Sequence, residues 1–197
     1  ENFGGNRMKT RKLLAVVLAV TMLVSLFSVP AFAEGEATIV EDLGILVGDG
    51  DGVTAEYLAK AATKLQGAMV TLRLLGLEDE AVAFEGTATF TDAGMATPYW
   101  APILAYFKAN PELGFQGPGD GSFGVKDMLT AQMLNKVLLV VLGYEEGVDF
   151  TWNTANEDAV SMGLTALEGK EELTNHDIAM AIVEALGLET VGGMTLI

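Results

Sequence analysis

The sequence predicts an all-α protein that contains three helix-turn-helix units. The main observation is a frame shared by three segments, from Thr63 to Gly76, from Thr130 to Gly143 and from Thr174 to Gly187, an interval of 13 residues each time. Between these ends, apolar residues recur at the spacing of one helix face. Each apolar stripe is too small to be buried alone, so the three units are expected to pack together.

Upstream of the units, residues 8–33 have the three parts of a secretory signal. Lys9, Arg11 and Lys12 are positively charged, residues 13–27 form an apolar run, and Ala31-Phe32-Ala33 places small residues at a cleavage site. A transmembrane anchor is the alternative, but this apolar run is shorter than the roughly 20 residues that span a bilayer. We therefore expect export and cleavage after Ala33. Residues 1–7 do not resemble the start of a protein.

The expected mature chain, residues 34–197, is strongly acidic. It carries seven Lys and Arg against 26 Asp and Glu, a net charge of −19, and it has no cysteine. Without disulfides an exported domain depends on its apolar core. The negative field excludes nucleic acid and, after signal cleavage, anionic membranes as partners. The remaining partners are cations, neutral or basic surfaces, and an anionic polymer that a few cationic side chains hold locally. Alternatively, the acidic surface serves only to keep the protein soluble.

Each frame is typical of a capped helix. Thr is a favoured N-cap, Gln66 and Asp177 stand where a capping box needs its third-position partner, and the glycines are suited to left-handed C-terminal positions. The expected core positions are Leu65, Met69, Leu72, Leu134, Leu138, Val141, Ile178, Ile182 and Ala185.

A shorter helix, an apolar-Gly-apolar step and a turn precede each capped helix. The steps are residues 43–45, 113–115 and 162–164, and the turns are residues 48–52, 117–123 and 168–170. The first capped helix begins at Thr54 or at Thr63. In the middle unit a helix over residues 99–107 is expected to stop at Asn110, because a residue before proline avoids the helical conformation. Residues 77–89 and 144–148 are predicted connectors.

The motifs of the middle unit resemble those of the S-layer homology (SLH) domain, in the same order. They are Phe90-x-Asp92, Trp100-Ala101, Leu113-Gly114-Phe115, Gly119-Asp120-Gly121-Ser122-Phe123 and Leu129-Thr130. The chain after the signal resembles three such modules, at about residues 36–78, 88–145 and 149–189. The resemblance implies helix-turn-helix units packed around a pseudo-threefold axis.

The resemblance also implies a function. It is non-covalent attachment to an anionic, often pyruvylated, secondary polysaccharide or peptidoglycan-linked glycan of a Gram-positive-type cell wall. Other surface-layer proteins are a further class of partner. The alternative is that degenerate units act as a structural or protein-interaction domain without binding sugar.

The family's signature at the head of the capped helix is Thr-Arg-Ala-Glu, whose Arg helps to hold the anionic sugar. The corresponding segments are Thr63-Lys64-Leu65-Gln66, residues 130–133 and residues 174–177, and only Lys64 keeps a positive charge in the Arg position. Ala131 and Asn175 cannot form charge-assisted bonds to a carboxylate. We therefore expect Lys64, with Thr63 and Gln66, to bind the polysaccharide.

Two other residues of the resemblance have two interpretations each. Trp100 stacks on a sugar ring or belongs to the core. Asp92 bonds sugar hydroxyls or, as we favour, caps the helix that follows it.

No catalytic residue, metal site or cofactor is expected. His176 is the single histidine, and no nucleophile elbow accompanies it. A calcium loop that starts at Asp49 lacks the required residues at Val53, Thr54 and Lys60.

Overall fold

The computed structural model describes residues 33–196. The fold described below is that of the compact unit Gly35–Ile197. The signal peptide predicted for residues 1–33 lies outside the described residues, apart from Ala33. None of the helices within residues 33–196 combines the length and the apolar character needed to cross a membrane.

Eight α-helices make up the regular structure of residues 33–196. They are α1 (Ala33–Asp42), α2 (Ala55–Ala59), α3 (Lys64–Leu74), α4 (Glu78–Val82), α5 (Trp100–Ala109), α6 (Ala131–Val141), α7 (Ala155–Ser161) and α8 (Asn175–Leu186). Short 3₁₀ helices cover Ala93–Met95, Pro111–Leu113 and Trp152–Thr154. Across the described range no β-strand forms, and extended segments meet only in isolated bridges. The predicted all-α class is confirmed.

The three predicted N-caps are confirmed for α3, α6 and α8. The hydroxyls of Thr63, Thr130 and Thr174 accept the backbone N–H three residues on, at 3.2, 3.3 and 3.3 Å. Gln66 and Asp177 complete capping boxes by accepting the cap residue's own N–H at 2.8 Å each. Thr54 caps the separate short helix α2, so the first long helix begins after Thr63.

Two of the three predicted left-handed C-termini are confirmed. Gly76 and Gly143 have φ values of 67° and 93°. The prediction is wrong for Gly187, whose φ is −83°. Its N–H bonds the carbonyl of Glu184 at 3.1 Å, and the next N–H bonds the carbonyl of Ala185, also at 3.1 Å. The last turns of helix α8 are therefore tighter but still right-handed, and Gly187 does not need the left-handed conformation.

The predicted core positions lie on buried helix faces. Leu65 is half-buried against the core, and the other eight are buried. In the middle unit the rings of Phe90, Phe107, Phe115 and Phe123 pack together, with centroid distances of 5.2 Å for Phe90–Phe123 and 5.4 Å for Phe107–Phe115. These rings join the middle unit's first helix to the turn that follows it.

The predicted connector over residues 77–89 contains a helix, α4, that the sequence patterns did not indicate. Its first turn holds Glu78, Asp79 and Glu80, which favour the positive end of the helix dipole. Glu78 pairs with Arg73 of α3 at 2.8 Å, and α4 packs against both α3 and α5. The predicted stop of α5 at Asn110 is confirmed.

Short extended segments precede α3, α6 and α8, and they pair with one another. Bridges join Ala61 to Thr174, Thr63 to Met128, and Thr130 to Glu172. The N–H of Ala62 bonds the carbonyl of Leu173, and the N–H of Leu129 bonds the carbonyl of Ala62, both at 2.8 Å. Each segment therefore pairs with both others, and the N-termini of the three long helices are brought together.

Candidate functional site

A groove of about 440 Å³ contains two of the domain's lysines. One wall is the loop over residues 114–118, which follows the first helix of the middle unit. The other lining residues are Lys64, Asp127, Met133, Lys136, Glu146 and Trp152. We call this site the two-lysine groove. It draws on all three predicted units, because Lys64 begins α3, Lys136 lies in α6, and Trp152 stands just before α7.

Lys136, Glu146 and Trp152 form the polar and aromatic side of the two-lysine groove. The Nζ of Lys136 lies 2.8 Å from the Oε2 of Glu146, with the two side chains 7% and 28% exposed. The same Nζ lies 5.8 Å from the centre of the Trp152 ring. Gln132 fixes the backbone of Trp152 by donating its Nε2 to the carbonyl at 2.6 Å. The Trp152 residue remains 42% exposed, so its ring can be reached by a ligand.

The turn of the middle unit holds Lys64 in the two-lysine groove. Its ammonium donates to the carbonyl of Phe123 and lies 5.0 Å from the centre of that ring. Burial lowers the pKa of Lys64, and the nearby carboxylates of Asp127 and Asp92 oppose that shift. The residue is only 5% exposed. Lys64 thus joins α3 to the middle unit, and this role needs no ligand.

Asp92 organises the same turn from the other side, and the favoured interpretation of Asp92 as a helix cap is wrong. Its carboxylate makes no capping bond to the 3₁₀ helix that follows. It accepts instead the backbone N–H groups of Phe123, Gly124 and Val125, at 2.7, 2.9 and 2.8 Å. Burial raises the pKa of Asp92, but these three N–H donors outweigh it and lower the pKa overall. The local sequence brings no such donors near, because they lie more than 30 residues away.

Gln66 and Trp100 lie in a different groove, of about 380 Å³. Trp100 is half-buried, packs against the core and lies edge-to-face with Tyr99 at 6.0 Å. It therefore combines the core role with a place in a groove wall. The amide oxygen of Gln66 is used by the capping box with Thr63. The predicted sugar-binding residues are thus separated, because Lys64 lines one groove, Gln66 and Trp100 line another, and Thr63 and Asp92 line neither.

Sequence reasoning missed Lys136 and Trp152, although Lys136 left a signal. It stands six residues after its Thr cap, where the other two copies have Met69 and Met180. A charged residue at a position that is apolar in both sister copies indicates a local role. Trp152 gives no comparable signal, because its approach to Lys136 depends on the packing of α7 against α6.

The two-lysine groove offers ammonium donors beside an accessible indole ring, a set of groups suited to a polar ligand with one apolar face. The described residues include no group of three or more acidic or histidine side chains placed to hold a metal ion. The sequence matches no protein-family model and no curated protein.

Proposed function

We propose that residues 34–197 are a non-catalytic, exported module of the SLH type that attaches to the cell wall by binding an anionic secondary polysaccharide. The ligand would lie in the two-lysine groove. The observation that carries the proposal is that Lys64, Lys136 and Trp152 line one groove. Residues 34–197 contain only seven cationic side chains, and two of them are in this groove. An ammonium can bond a sugar carboxylate, and an indole can cover the apolar face of a sugar ring.

The local placement of the cations matters because the domain as a whole is acidic. A net charge of −19 repels a polyanion at long range, and this repulsion is screened beyond about 10 Å at moderate salt. Binding must therefore come from short contacts inside the groove. We expect it to depend on Lys136 and Trp152, and to weaken little when a lysine elsewhere on the surface is removed.

The test is a pull-down of residues 34–197 with purified peptidoglycan that carries or lacks its secondary polysaccharide. Lys136→Met preserves the packing of an unbranched side chain and removes the charge, and Trp152→Ala removes the ring. Lys126→Ala is the matched control, because Lys126 is exposed and lies outside the groove.

We expect binding to be lost when the polymer is stripped. It should fall about tenfold in Lys136→Met, since a charge-assisted bond contributes about 1.5–3 kcal/mol, and it should also weaken in Trp152→Ala, which removes the ring that covers the sugar. Lys126→Ala should bind as the parent does. Equal recovery from stripped and intact walls would rule out sugar binding.

A second candidate is a structural or protein-interaction domain of the surface layer, and one observation favours it. The polar groups first expected to bind sugar are used inside the fold, since Thr63 and Gln66 bond each other and Lys64 and Asp92 hold the turn at Phe123. The pull-down separates the two candidates. Recovery that is independent of the polysaccharide, together with capture by other surface-layer proteins, would decide for this one.

The three-unit arrangement around a pseudo-threefold axis belongs to the same proposal. It is supported by the repeated Thr-to-Gly frame and by the mutual pairing of the three segments that precede α3, α6 and α8. Deletion of residues 149–197 removes one partner from each of the two remaining segments. We expect the fragment 34–148 not to fold, and a fragment that melts cooperatively would contradict the arrangement.

A further inference from the structure

The ammonium of Lys136 in the two-lysine groove is already occupied by a carboxylate of the same chain. Glu146 reaches it at 2.8 Å, and the lysine side chain is only 7% exposed. Glu146 extends from a tight turn in which the N–H of Gly147 bonds the carbonyl of Phe150 at 2.7 Å. The backbone of Glu146 is thereby fixed close to Lys136, while its side chain keeps access to water.

A ligand carboxylate cannot simply add to this pair. Two carboxylates at one ammonium repel each other, and a lysine this buried has little surface for a second partner. Glu146 is 28% exposed, so its side chain can turn into solvent and be hydrated there. Displacement of Glu146 is therefore the available route for an anionic ligand to reach Lys136.

We propose that Glu146 is an intramolecular competitor that occupies the carboxylate position of the two-lysine groove. The ligand is an acidic sugar, whose carboxylate replaces that of Glu146 on Lys136 while its ring lies against Trp152. This inference rests on the proposed binding of an anionic glycan. It makes Glu146 a determinant of selectivity, because a neutral sugar gains nothing from displacing it and an acidic sugar must compete with it.

The test uses a soluble probe, an oligogalacturonate, with its fully methyl-esterified form as the neutral counterpart. Affinities are measured by isothermal titration calorimetry on residues 34–197. Glu146→Gln removes the competing charge and keeps the side-chain shape. Glu145→Gln removes the same charge one residue away, from an exposed side chain outside the groove. Glu146→Ala is a second variant in case the amide replaces the carboxylate as a partner of Lys136.

We expect Glu146→Gln to bind the oligogalacturonate about tenfold more tightly than the parent, in line with the strength of a charge-assisted bond. Glu145→Gln should change the affinity less than about twofold, as expected for a screened surface charge. Adding Lys136→Met to Glu146→Gln should abolish the gain. None of the variants should gain affinity for the methyl ester.

Three results would overturn the inference. They are an unchanged affinity in both Glu146 variants, an equal gain in Glu145→Gln, and a gain that survives Lys136→Met. The cell-wall pull-down is scored separately. The parent protein could fail to bind the wall polysaccharide while Glu146→Gln still binds oligogalacturonate more tightly than the parent does. That pair of results would refute the proposed function and leave the role of Glu146 in place.

Discussion

Asp92 offers the sharpest test of how the middle unit is held together. Its carboxylate accepts three backbone N–H groups, two on Oδ2 and one on Oδ1, from the turn that also meets Lys64. Asp92→Asn keeps the shape but leaves a single acceptor oxygen. If the amide oxygen serves the two donors at Oδ2, the N–H of Phe123 faces an amide NH₂ and loses its acceptor.

The expected loss of folding stability in Asp92→Asn follows from the number of hydrogen bonds that change. Two bonds lose charge assistance and one donor is left without a partner, at about 1 kcal/mol each. Because Asp92 is half-buried, water replaces part of this loss, and we expect a destabilisation of about 2 kcal/mol. For a domain of this size that corresponds to a fall in Tm of about 4–8 °C. Asp120→Asn is the control, since exposed Asp120 bonds only Ser122 nearby.

The same bonds give this contribution a definite pH dependence. The folded-state pKa of Asp92 is lowered, so its stabilising effect is present above the unfolded-state value of about 3.9. It is lost as the pH falls through the lower, folded-state pKa. The difference in Tm between the parent and Asp92→Asn, measured by calorimetry, should be constant near neutral pH and shrink below about pH 4. A Tm for Asp92→Asn no lower than that of Asp120→Asn at pH 7 would refute the reasoning.

Three further changes test the frame of the fold. Thr130→Ala removes the N-cap of α6 and should cost about 1 kcal/mol in urea denaturation, while an unchanged midpoint would contradict the capping role. Gly117→Ala places a Cβ 1.9 Å from the carbonyl oxygen of Ser122, whereas Gly119→Ala meets nothing within 4 Å, so the first should melt well below the second. Leu138→Ala empties a fully buried position and should cost about 2–5 kcal/mol by the same denaturation assay; a loss below 1 kcal/mol would count against close packing there.

The parts of the fold that could be predicted from sequence are those governed by local chemistry. A Thr hydroxyl caps a helix by accepting an N–H from three residues away, so the start of α8 at Thr174 can be predicted from a few neighbouring residues. The end at Gly187 was mispredicted, because glycine permits a left-handed turn without requiring one. Helix α4 was missed because its five residues are too few to show an apolar period.

The candidate site was harder to predict, because it depends on direction and on distant neighbours. Lys64 and Gln66 were expected to act together, yet residues two apart on a helix point roughly 200° apart. The structure accordingly places them in different grooves. Lys136 and Trp152 meet only through the packing of α6 and α7, which no short motif describes.

The mutual pairing of the segments before α3, α6 and α8 fixes how many copies such a domain can hold. In an open array of repeats, each end has a free neighbour position, so copies can be gained or lost there. Here the segments around Ala61, Met128 and Thr174 form a closed set in which each already has two partners. A fourth copy would find no unpaired edge, and loss of one copy would leave two edges exposed. If the proposed three-unit arrangement holds, we therefore expect the units to differ from one another in single residues, as Lys136 differs from Met69 and Met180, and their number to stay at three.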